Sequence, residues 1–141
     1  MMVGALLAIA GVIYCGLGLL HAIFTLMDER DPRRLAPDDP AVTLAMQNSK
    51  VRLSRGAMTM WQGWISFNLT HSLAAILFGA ACLIVTAHFG LFVFSPWALF
   101  SLTAVSLLFA LIGLRYWFGV PRAGTLIATG CLGAAWLLYS F

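Results

Sequence analysis

The sequence predicts an all-α polytopic membrane protein, an antiparallel four-transmembrane-helix bundle with a short cytoplasmic interfacial helix. Three observations predict it. Hydrophobic residues make up 62% of the 141 residues and charged residues 9%, where a soluble domain carries about 25% charged residues. Four apolar runs approach or exceed the roughly 20 residues that cross a hydrocarbon core of about 30 Å. All eight Lys and Arg fall in two stretches, Arg30–Arg55 and Arg115–Arg122.

Those runs place spans at about 3–27, 57–88, 96–117 and 121–140, with an interfacial helix at about 40–55, so residues 1–141 form a single membrane domain. No room remains for a soluble catalytic domain. The start, Met1–Ala10, lacks the positive region of a signal peptide, so the first run is expected to be retained as a span.

The first span ends at the charged run Asp28-Glu29-Arg30-Asp31-Pro32-Arg33-Arg34. Ala8, Gly11, Cys15 and Gly18 recur along it at spacings of three and four, a small-residue stripe that lets a second helix approach closely. Asp28, Glu29, Asp31, Asp38 and Asp39 are all the acids of the chain. Asp39-Pro40 reads as an N-cap followed by proline at the first helical position. The helix it starts is expected to run to about Arg55, with Val42, Ala45, Met46 and Leu53 toward apolar material and Gln47, Lys50 and Arg52 wet. Gly56 ends it or bends it into the second span.

The second span starts near Ala57 and ends around His88–Gly90. Trp61 and Trp64 suit an aromatic belt, while Gln62, Ser66, Asn68, Thr70, His71 and Ser72 make its first half unusually polar. Ser95-Pro96-Trp97 caps and opens the third span, which closes at Arg115-Tyr116-Trp117-Phe118. Gly119-Val120-Pro121 stops and restarts the chain. The fourth span carries Gly124, Ala128 and Thr129 for packing and ends at Trp136 and Tyr139. Alternation puts both cationic loops on one side, and the positive-inside rule makes that side cytoplasmic. Both termini are then non-cytoplasmic.

The net charge of +3 therefore reflects membrane topology, and no basic patch apart from the span flanks points to nucleic acid. Lys50, Arg52, Arg55, Arg115 and Arg122 are placed to meet anionic lipid head groups. Cys15, Cys82 and Cys131 lie one per apolar segment without a CxxC pair, so neither a disulfide framework nor a zinc site is indicated.

Polar residues at membrane depth are the informative ones, because lipid offers them no water. His21 sits roughly 10 Å inside the cytoplasmic end of its span at 1.5 Å per residue. Tyr14, Gly18, His21 and Thr25 share one helical face, as do Trp64, Asn68, His71 and Ala75. If the two faces meet, Tyr14, His21, Trp64, Asn68 and His71 line a polar pocket.

Several readings of that pocket stand side by side. Interhelical bonding is the simplest: Asn68 to His21, with His71 reaching a carbonyl or Tyr14. The polar head of a lipophilic ligand, a quinone or a lipid, is another. Axial ligation of a b-type haem by His21 and His71 is a third. A metal site lacks a third strong ligand at that depth. Coupled transport lacks a mid-span charge, and hydrolytic chemistry lacks a carboxylate near histidine. No residue is assigned a catalytic role.

Gly16-Leu17-Gly18-Leu19-Leu20-His21 and Trp61-Gln62-Gly63-Trp64 with Asn68-Leu69-Thr70-His71-Ser72 resemble blocks of a family of small four-helix bacterial inner-membrane proteins. The resemblance implies membrane location and helix number, and supplies no substrate. In outline the chain also resembles four-helix sterol-isomerase-like proteins, whose intramembrane acids have no counterpart here. Two functions are carried forward. One is a non-catalytic accessory subunit that packs against other membrane subunits or itself, and the other is a lipophilic-ligand-binding protein.

Overall fold

The computed structural model describes residues 2–88 and 95–141. Among the described residues the chain is all-helical, with five α-helices: α1 Met2–Arg30, α2 Pro40–Asn48, α3 Met60–Ala87, α4 Pro96–Tyr116 and α5 Gly119–Ser140. A single 3-10 turn, Arg52–Ser54, lies between α2 and α3. At 29, 28, 21 and 22 residues, α1, α3, α4 and α5 are long and apolar enough to cross a membrane. Leu, Ile, Val and Phe stand exposed along all four, as lipid-facing side chains do. The expected end of the second span at His88–Gly90 falls partly on residues 89–90, which lie outside the described residues; α3 runs to Ala87.

The helix ends follow local chemistry. Asp39 accepts a hydrogen bond from Ala41 N–H at 2.8 Å and Pro40 takes the first helical position. Ser95 does the same for Trp97 N–H ahead of Pro96. α3 begins at Met60, three residues after the expected Ala57, because Thr59 and Gln62 form a reciprocal capping box. Gln62 N–H donates to Thr59 Oγ1 at 3.1 Å, and Thr59 N–H donates to Gln62 Oε1 at 2.8 Å.

The expected helix at about 40–55 is shorter. α2 stops at Asn48, whose side-chain amide donates to the Leu44 carbonyl, and Ser49 is already extended. The chain then doubles back: Lys50 and Thr59 form a bridge, and Val51 N–H donates to the Met58 carbonyl at 2.8 Å. Arg55 at φ 52° and Gly56 at φ 88° make the reversal, with glycine carrying the wider left-handed angle at no steric cost. α2 and α3 are therefore separate helices.

The chain divides into two compact units, Met1–Leu17 with Ala75–Phe141, and Gly18–Ala74. In the first, Leu7, Ala10, Tyr14, Cys82, Leu99, Ala128, Leu132 and Ala135 form the buried core. Its tightest point is where α1 meets α3 at Gly11 and Gly79. A Cβ on Gly79 would lie 2.6 Å from Cys15 N and 2.7 Å from Gly11 O, so the two backbones touch as they do at small-residue crossings in lipid. The Tyr14 hydroxyl shares a 2.8 Å hydrogen bond with Ser106 Oγ, which shares one of 2.7 Å with Thr129 Oγ1. Thr129 donates to the carbonyls of Ser106 and Thr125. Ser106 therefore donates to Thr129, and Tyr14 to Ser106.

The second unit is organised differently. The fully buried Asp28 accepts five hydrogen bonds from the N–H groups of Arg33, Arg34, Leu35 and Ala36. Its carboxylate ties the loop that follows α1 back onto the helix end. Arg34 Nη1 approaches it at 4.0 Å, while Arg33 pairs with Asp31 at 2.8 Å on the surface.

Candidate functional site

His21, Asn68 and His71 come together in the second unit. α1 supplies His21 and α3 supplies the others one turn apart, so Asn68 and His71 share a face. The contact is a hydrogen bond of 2.9 Å between His21 Nε2 and Asn68 Oδ1. Asn68 Nδ2 donates to the Trp64 carbonyl at 2.8 Å. Because that carbonyl only accepts, the amide orientation is determined, and Oδ1 must face His21. The proton of the bond then sits on His21 Nε2.

The imidazoles of His21 and His71 lie edge to face, 5.6 Å apart between centroids at 75°. Phe67 stacks on His71 at 6.4 Å and 13°. Asn68 is buried, whereas both imidazoles are half-buried. Two hydroxyls brace the cluster: Thr25 donates to the His21 carbonyl and Ser72 to the Asn68 carbonyl, each at 2.8 Å.

The other expected pocket residues take different roles. Trp64 contributes its backbone carbonyl to the amide. Tyr14 belongs to the first unit, where its hydroxyl is bonded to Ser106 and its ring meets Phe78 edge-on at 4.7 Å. Trp61 is 7% exposed, so most of its ring packs inward, and the part left uncovered lines a groove with Glu29 and Gln62. Trp97 and Tyr116, at the ends of α4, are exposed.

This geometry bounds the chemistry. A protonated Nε2 bonded to an amide oxygen is not free to ligate iron, so haem ligation through this nitrogen would first require breaking the His21–Asn68 bond. Ser72 is aimed at a backbone carbonyl and not at an imidazole. Nor is any group of three or more His, Cys, Asp or Glu placed to hold a metal ion among them.

Three features escaped the sequence reading. Asp28 as a loop organiser had no motif, since its partners are backbone N–H groups five to eight residues ahead. Gly79 was passed over among apolar neighbours, although a glycine in mid-span marks a close approach. The Ser106–Thr129 pair was signalled only by hydroxyls within two apolar runs. No family model, no curated protein and no solved structure matches the chain.

Proposed function

We propose that this chain is a non-catalytic integral membrane protein that packs into a larger membrane complex as an accessory subunit. In this reading α1, α3, α4 and α5 cross a bacterial inner membrane as an antiparallel bundle. The loops 31–59 and 117–118 face the cytoplasm, and both termini lie outside it. Clustering of the cations at these loops supports the orientation. The exposed Val42 and Leu44 on α2 support its lying along the cytoplasmic interface. Lys50, Arg52, Arg55, Arg115 and Arg122 then meet anionic head groups.

One observation carries the reading: the polar groups at membrane depth bond to one another. His21 is bonded to Asn68, Tyr14 to Ser106, and Ser106 to Thr129. Such bonds hold helices together. Open glycines support the partner: among the described residues Gly16 on α1 and Gly130 on α5 have no atom within 4 Å of an added Cβ, leaving their faces open to a close-packed neighbour.

Purification in mild detergent with and without Gly130→Leu tests the proposal. The space around Gly130 lets leucine enter without a clash inside the chain, so the reading expects other subunits to co-purify with the native protein and to be lost from the variant. A native protein that purifies alone, as a monomer, contradicts it.

A second reading rests on the half-buried imidazoles. With Phe67 stacked on His71, they form a platform for the polar head of a quinone or lipid. A quinone extracted from the native protein and absent from His71→Ala would favour this reading over the first.

A further inference from the structure

A groove of about 320 Å³ lies within the second unit, apart from the histidine cluster. It is lined by Glu29 of α1 and by Trp61, Gln62, Ile65, Ser66, Leu69 and Thr70 of α3. We infer that it binds the head of an aminophospholipid, with the ammonium held between the Glu29 carboxylate and the Trp61 ring.

Of the five acids, Glu29 is the one that lines a groove together with an indole, since Asp38, also without a bond among the described residues, lines a groove that holds no aromatic ring. Asp28 is saturated by backbone N–H groups, Asp31 is paired with Arg33, and Asp39 caps α2. Glu29 has no ion pair or hydrogen bond among the described residues and faces the groove beside an indole. A carboxylate next to an aromatic face is the chemistry that selects an ammonium group. The nearby Arg30, Arg33 and Arg34 would otherwise favour anionic heads, so a cation site here is local and not a product of net charge.

The depth and the lining select a lipid over a free amine. Glu29 follows the last apolar residues of α1, and Trp61 and Gln62 stand in the first turn of α3, at the level of the head groups. Gln62, Ser66 and Thr70 recur every fourth residue, so the polar strip runs about 12 Å along the helix. Thr70 turns its hydroxyl back to the Phe67 carbonyl, while Ser66 stands exposed one turn below the mouth, at the depth of a glycerol ester. Ile65 and Leu69 supply an apolar wall for the start of an acyl chain. A soluble amine would use only the outer end of this surface.

Native mass spectrometry of the full chain tests the assignment. The protein would be released from detergent after incubation with equal amounts of phosphatidylethanolamine, phosphatidylcholine and phosphatidylglycerol of identical chains. The expected result is retention of phosphatidylethanolamine about tenfold above phosphatidylglycerol. Glu29→Gln, an exposed position whose change leaves packing intact, should remove that preference. Ser66→Leu should weaken retention of all three lipids. Because Trp61 is buried, Trp61→Leu is informative only beside an unchanged helical circular dichroism spectrum. Equal retention of the three lipids, or an unaltered preference in Glu29→Gln, overturns the proposal. Glu29-dependent dimerisation without bound lipid overturns it too, by giving the groove to a second copy.

Discussion

The two units of this chain solve one problem with opposite means. In Met1–Leu17 with Ala75–Phe141, α1 and α3 are joined where side chains are missing, at Gly11 and Gly79, and the polar groups are short hydroxyls bonded in a row. In Gly18–Ala74 the joints are side chains that reach: an imidazole to an amide, and a buried carboxylate to four successive backbone N–H groups. Lipid on both sides gives apolar surface no reason to leave its solvent, so close contact and hydrogen bonding must hold helices together. Near the charged loops, water is available, and a carboxylate can be carried into the fold if every oxygen is satisfied.

Substitutions at the two kinds of joint should separate them. The largest loss is expected at Gly79. Even alanine there puts Cβ 2.6 Å from a backbone nitrogen, and Gly79→Leu should cost about 3 kcal/mol or prevent folding, read from unfolding in mixed micelles. Gly130→Ala on the open face is the control and should leave the same curve unchanged. Equal effects at both glycines would remove the close crossing from the account.

Asp28→Ala comes next, at about 2 kcal/mol, because it strands several donors at once. Its signature should be local: limited proteolysis within the loop 31–37 should speed up while the first unit stays protected. Asp28→Asn, which keeps a carbonyl acceptor, should fall between the two. Uniform protection in Asp28→Ala would mean that the loop is held by something other than this carboxylate.

The smallest effect belongs to the His21–Asn68 bond. A double-mutant cycle with His21→Ala and Asn68→Ala should give a coupling of about 0.6 kcal/mol and no more than ~2. Tyr14→Phe in the other unit should fall in the same range, since it too removes one interhelical hydroxyl contact. A coupling well above that range would show a charged or otherwise specialised pair.

How far the sequence could be read depends on the range of the interaction. The four long apolar helices were legible because hydropathy integrates over about 20 residues, and the caps of α2 at Asp39 and α4 at Ser95 because a cap is a two-residue event. The start of α3 was legible in principle, as Thr59-Met60-Trp61-Gln62 fits the T-x-x-Q capping box. The early stop of α2 had a weaker signal in Asn48-Ser49, two poor helix formers. What forces the stop is the Lys50–Thr59 pairing across nine residues, and periodicity carries no trace of it. The meeting of His21 with Asn68 was anticipated because two polar faces on successive spans have few places to go. The burial of Asp28 was not, because its partners are main-chain groups common to every sequence. Tyr14 shared the helical face of His21, yet Ser106, 92 residues away, is the partner that takes its hydroxyl.

The proposed topology has four helices crossing the bilayer with the cationic loops in the cytoplasm. Reporter fusions at two positions test it most directly, one after Phe141 and one within the turn Arg52–Arg55. A reporter active only outside the cytosol should work after Phe141 and stay silent in the turn. Activity in the turn, or a cytosol-only reporter working after Phe141, would contradict it.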